Sequence, residues 1–161
     1  MQLKLSLALR SDRARLGIPP ALRLVFAGLF AFALTGAFDG GINGPALALA
    51  GFCALAGLYD ESWVFLPARN LVEFRFGLLF LFRRRRYALD EVEAFVYSAY
   101  ARKLPHPSGL PGRRIHELKL RLSDGGAAGL ETIAGRGGER LRRTAERLAE
   151  FCGKPMIEES E

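Results

Sequence analysis

The longest run of one chemistry in the chain is Arg83-Arg84-Arg85-Arg86. Four adjacent guanidinium groups attract anions, either carboxylates or phosphates. Near an anionic lipid surface each basic residue is worth about 1 kcal/mol. Arg102, Lys103, Arg113 and Arg114 extend the same charge. Several readings fit the run. It is a lipid-binding or partner-binding site, or topogenic charge, or a solvated strand end, or half of it pairs with Glu91, Glu93 and Glu117. Nucleic acid is disfavoured, because no recognition-helix or aromatic stacking motif accompanies the arginines.

Other reactive residue types are scattered. His106 sits among prolines. His116 precedes Glu117 but has no second histidine three positions on, so the zinc-protease pattern is absent. Cys53 and Cys152 fall in different elements and read as small buried apolar residues. The glycines at 125, 126, 129, 135, 137 and 138 lack a following Gly-Lys-Ser/Thr and read as turn glycines. No serine lies in a nucleophile-elbow pattern. Asp60-Glu61 is a carboxylate pair without an acid/base partner, suited to setting linker geometry. The expectation is a protein that is not an enzyme, with no catalytic residue, no metal site and no cofactor.

The elements that hold these residues begin with composition. The chain has 161 residues, half of them hydrophobic and a quarter charged, with a net charge of +6. Its mean hydropathy is +0.10. That apolar content excludes disorder, and two cysteines exclude a disulfide scaffold. One compact domain with a small appendage fits this length. The apolar residues are concentrated: residues 21–59 carry only Arg23 and Asp39 as charges.

That block predicts two transmembrane helices, about 20–38 and 45–59, joined by the polar turn Asp39 to Pro45. Arg23 would snorkel to the headgroups, and Tyr59 and Trp63 would anchor the interface. Ala46, Ala50, Ala54 and Gly57 on the second helix, and Ala27, Ala31 and Thr35 on the first, offer small faces for close packing. Basic residues flank both helices and are missing from the turn. The positive-inside rule therefore predicts a multi-pass membrane protein with both termini cytoplasmic.

After the hairpin the pattern changes to a period of two. Strands are expected over 62–67, 71–76, 78–85, 90–100, 115–122 and 128–133, with Asp124-Gly125 as a hairpin turn. Gly77 marks a turn or bulge. Leu141, Ala145, Leu148 and Cys152 recur at helical spacing, so a closing helix is expected over 138–152, stopped by Gly153 and Pro155. Residues 101–114 form a Pro-rich loop, read as mobile. Residues 156–161 read as a frayed acidic tail. Leu3, Leu5, Leu7 and Leu9 alternate with smaller or polar residues, so residues 1–17 form a strand-like arm that adds an edge strand to the domain or pairs with another subunit.

Trp63-Val64-Phe65, Phe74-Arg75-Phe76-Gly77-Leu78-Leu79, Tyr87-Ala88-Leu89-Asp90-Glu91-Val92, Leu118 to Leu122 with Asp124-Gly125, and the closing Phe151-Cys152-Gly153-Lys154-Pro155 occur in order behind the apolar hairpin. This arrangement resembles the bacterial pleckstrin-homology-like (PH-like) membrane proteins, over residues 60–155. The resemblance implies an α+β protein of the bacterial inner membrane: two transmembrane helices, then a PH-like antiparallel β sandwich or barrel capped by a C-terminal helix. It implies no activity. The expected role is protein interaction, as scaffold, subunit or assembly factor of a membrane complex. The alternative is a sensor of anionic membrane lipid through Arg83 to Arg86. Expected partners are the lipid bilayer and other proteins, with a homo-oligomer as one assembly, and no nucleic acid.

Overall fold

A computed structural model describes residues 5–38, 44–78, 81–102 and 113–160. The elements in order are β1 (Ser6–Leu9), β2 (Ala14–Gly17), α1 (Pro20–Phe38), α2 (Gly44–Leu58), β3 (Tyr59–Leu66), β4 (Leu71–Leu78), β5 (Leu81–Ala88), β6 (Val92–Arg102), β7 (Arg113–Leu122), β8 (Ala127–Ala134), α3 (Gly138–Cys152) and β9 (Met156–Ser160). The strands form two sheets, ordered β1-β2-β3-β4-β5 and β8-β7-β6-β9. Every pairing is antiparallel except β6 with β9.

The two sheets and α3 enclose one core. Leu16, Phe65, Val72, Phe95, Leu118 and Leu120 are fully buried and face Leu141, Ala145 and Leu148 of α3 in a single cluster. The closing helix has the bounds its periodicity predicts. Gly153 ends it at φ +63°, and its amide is donated to the Ala149 and Glu150 carbonyls. Asp124-Gly125 turns β7 into β8, with Gly125 at φ +82°. Gly77 is within β4 and not at a turn. Its φ of +137° and the close approach of the Leu81 carbonyl leave no room for a side chain.

The transmembrane reading is overturned. Among the described residues no helix is long and apolar enough to cross a membrane. The second uncharged stretch, residues 40–59, is longer than the helix inside it. Helix α2 has 15 residues, a rise of about 22 Å against the roughly 30 Å of a hydrocarbon core. Tyr59, counted toward the second span, already belongs to β3, and Arg23 interrupts the first turn of α1. The membrane-protein fold class, the topology built on the positive-inside rule and the multi-pass inner-membrane location fall with the spans. The polar turn lies largely outside the described residues.

Two further expectations change. The arm is a hairpin: β1 pairs with β2, and β2 continues onto β3, so its edge strand is intramolecular. Residues 156–160 of the acidic tail form a strand where fraying was expected. Met156 and Ile157 draw β9 alongside the open edge of β6, from Phe95 to Ala99. Glu158 meets Arg142 at 2.6 Å, and Glu159 meets Arg121. Residues 103–112 of the Pro-rich loop lie outside the described residues.

Both cysteines are free and buried, in α2 and α3. Burial pushes the Cys152 thiol up to about 12, against a small opposing pull from Lys154. The thiolate is the reactive form. Cys152 should therefore resist iodoacetamide in the folded protein at mildly alkaline pH and react once denaturant is added, as peptide mass mapping will read.

Candidate functional site

The arginine run lies on β5, an outer strand of the five-stranded sheet, and all four arginines are exposed. Alternation along the strand divides them. Arg84 and Arg86 lie opposite Arg75 and Glu73, and both approach Glu73, at 3.6 and 3.8 Å. Arg75 holds the same carboxylate at 2.7 Å. Glu73 is nearly buried, so three guanidinium groups converge on one carboxylate. Half the run is thus paired, but with Glu73 on the neighbouring strand and not with Glu91, Glu93 or Glu117. Arg83 and Arg85 lie opposite Phe76 and Phe74 and form no ion pair among the described residues. Arg84 also covers the Phe82 ring, 4.6 Å from its centre.

The other end of β5 is apolar. Leu81 is 80% exposed, and Phe82 and Phe76 are about half exposed. In register, Leu81 pairs with Leu78, and Leu78 pairs with Tyr59, the first residue after α2. The β4–β5 tip therefore stands beside the base of the helical hairpin. Arg23 of α1 shares a 170 Å³ recess with Phe76, Leu78, Phe82 and Arg84.

The hairpin itself is apolar outward. Leu24, Val25, Leu29 and Phe32 of α1 and Leu47, Leu49, Phe52 and Leu55 of α2 are exposed, Phe32 and Leu24 by about three-quarters. The helices meet through a narrow seam in which Ala33, Ala50 and Cys53 are buried. Ala46, Ala54 and Gly57 are half-buried on α2, and a side chain at Gly57 would touch Phe26. The small face of α1 behaves differently: Ala27, Ala31 and Thr35 are exposed, and Phe26, Phe30 and Ala33 turn inward instead.

The remaining sequence candidates have structural places. Arg23 binds Asp60, which also takes Arg15 at 3.2 Å. Asp60 thereby ties α1 to β2 and β3, more than linker geometry alone. Trp63 is 3% exposed and stacks on Phe74, 4.5 Å between ring centres, and on Tyr87. It belongs to the core, away from any interface. Tyr59 donates to Glu61 at 3.2 Å. His116 is buried, its Nδ1 2.8 Å from the Tyr97 hydroxyl, and its ring packs against Gly138. Burial, followed by the charges of Glu158 and Glu139, pushes the Tyr97 hydroxyl above its ordinary value. His106 lies outside the described residues. Among the described residues no group of His, Cys, Asp or Glu side chains could hold a metal ion.

Two residues that sequence reasoning passed over are central: Glu73, which organises the arginines, and Leu81, which tips the strand. Glu73 alternates with Phe74 and Phe76 in a strand pattern, and only the cross-strand register reveals its partners. Comparison with protein-family models and with curated proteins finds no match for the chain.

Proposed function

We propose that the chain is a non-catalytic module that docks on an anionic lipid surface through the end formed by the helical hairpin and the β4–β5 tip. One observation carries this reading. Exposed Leu81 and Phe82 lie where Arg23, Arg75, Arg83 and Arg84 also gather, at the base of a helical hairpin on which Phe32 and Phe52 are exposed. Apolar side chains enter the acyl boundary while arginines behind them meet the phosphates. Exposed large apolar side chains in this number mark an interaction surface, and charge complementarity selects an anionic partner. The antiparallel sheets closed by α3 support a PH-like arrangement for the body that carries this end.

Among the described residues Arg83 and Arg85 have no carboxylate partner to lose, so their replacement reads the lipid contact alone. Arg83→Gln/Arg85→Gln should weaken binding to phosphatidylglycerol vesicles roughly ten- to thirtyfold, at about 1 kcal/mol per arginine. The loss should shrink as salt rises. Co-sedimentation of the full chain reads this directly. Equal binding to phosphatidylcholine and phosphatidylglycerol vesicles would overturn the reading. So would a stoichiometric protein held by a chain that ignores vesicles, which would identify a scaffold or assembly factor.

A further inference from the structure

Where the helical hairpin meets the two sheets, Leu22 and Phe26 of α1, Phe52 and Leu55 of α2, and Leu130 of β8 line a cavity of about 880 Å³. That volume is in the range of small-molecule sites, and the walls suit hydrocarbon. Three charged side chains reach it: Arg23, Glu61 and Glu131. Two are matched within the protein, Arg23 by Asp60 and Glu131 by Arg140.

Glu61 differs. It lies on β3 two residues before Trp63 and four before Phe65, so strand alternation puts it on the core-facing side. Its carboxylate accepts from the Tyr59 hydroxyl, and among the described residues no cation pairs with it. Burial and then the charge of Glu61 push the Tyr59 hydroxyl up to about 12, so that tyrosine remains a donor. A carboxylate at the wall of an apolar cavity is stabilised by a cation brought by the occupant.

We propose that this cavity binds one single-chain amphiphile whose head carries an ammonium group. The alkyl chain lies among Leu22, Phe26, Phe52 and Leu55, and the ammonium pairs with Glu61. The site shares Arg23 and Phe52 with the docking end but takes its ammonium selectivity from Glu61, which vesicle docking does not use.

Native mass spectrometry of the full chain tests it. Palmitoyl lysophosphatidylethanolamine and palmitoyl lysophosphatidylglycerol, offered together, share chain and phosphate and differ in the ammonium. The ethanolamine lipid should be retained about tenfold more, the worth of one charge-assisted hydrogen bond. Glu61→Gln should erase the preference while keeping chain binding. Ala56→Trp, at another lining position, should exclude both lipids. Arg83→Gln/Arg85→Gln should keep the preference, whatever it does to vesicle binding. Equal retention of the two lipids by the unaltered chain, or a preference that survives Glu61→Gln, would overturn the proposal.

Discussion

Phe32→Ser/Phe52→Ser should reduce affinity for anionic vesicles by roughly a hundredfold or more, because each aromatic ring that enters an acyl layer is worth about 1.5–3 kcal/mol. In the unbound protein these rings are 75% and 64% exposed, and neither belongs to the buried core cluster. Thermal stability should therefore hold, and the protein should aggregate less in the absence of lipid. The pairing of a large binding loss with an unchanged melting temperature is the diagnostic. Co-sedimentation and a thermal melt on the same preparation read both. A comparable fall in melting temperature would mean that the rings belong to the fold.

The second large effect concerns the junction between the sheets. Glu131 of β8 is 7% exposed, accepts from the Leu5 amide at 3.2 Å and pairs with Arg140 of α3. Arg140 in turn donates to the Leu5 carbonyl at 2.6 Å. This trio fastens the chain just before β1 to the other sheet, and Leu5 itself is 4% exposed. Glu131→Ala removes the acceptor shared by a buried amide and a guanidinium. The expected cost is about 2–3 kcal/mol, discounted from the full buried-pair penalty because the Arg140 side chain keeps access to water. For a chain of this size that lowers the melting temperature by about 5–10 °C. Glu131→Gln should fall between, since its amide oxygen still accepts from Leu5. Deleting residues 2–9 should cost more than either variant, since it also removes Leu5 and β1. An unchanged melting temperature in that deletion would mean that the arm does not hold the sheets together.

The sequence was legible where one period persisted. Leu118 and Leu120 alternate with Lys119 and Arg121, and β7 follows that pattern. Leu141, Ala145, Leu148 and Cys152 repeat at helical spacing, and α3 buries those residues. Short or tertiary-dependent elements were not legible. Strand β2 is four residues, and its buried Ala14 and Leu16 hide between arginines that read as topogenic charge. Strand β9 exists because β6 offers an edge and Arg142 and Arg121 neutralise two glutamates. No local pattern encodes that. The helices of the hairpin are legible, α1 over the expected 20–38 and α2 one residue from 45–59 at each end, but an absence of charge does not make a membrane span: neither helix is long and apolar enough to cross. The candidate site was half legible. The arginine run is plain in the sequence, but its division by Glu73 depends on register. The apolar tip beside it depends on the β4–β5 pairing that places Leu81 next to Leu78 and Tyr59.

The most direct test of lipid docking is fluorescence quenching by brominated acyl chains in phosphatidylglycerol vesicles, with Phe32→Trp compared against the unaltered chain. Trp63 is buried in the core and serves as the internal reference. Lipid docking predicts that the new tryptophan shifts to the blue and is quenched when vesicles are added, while Trp63 alone is not. Bound protein whose new tryptophan stays unquenched and unshifted would contradict the account.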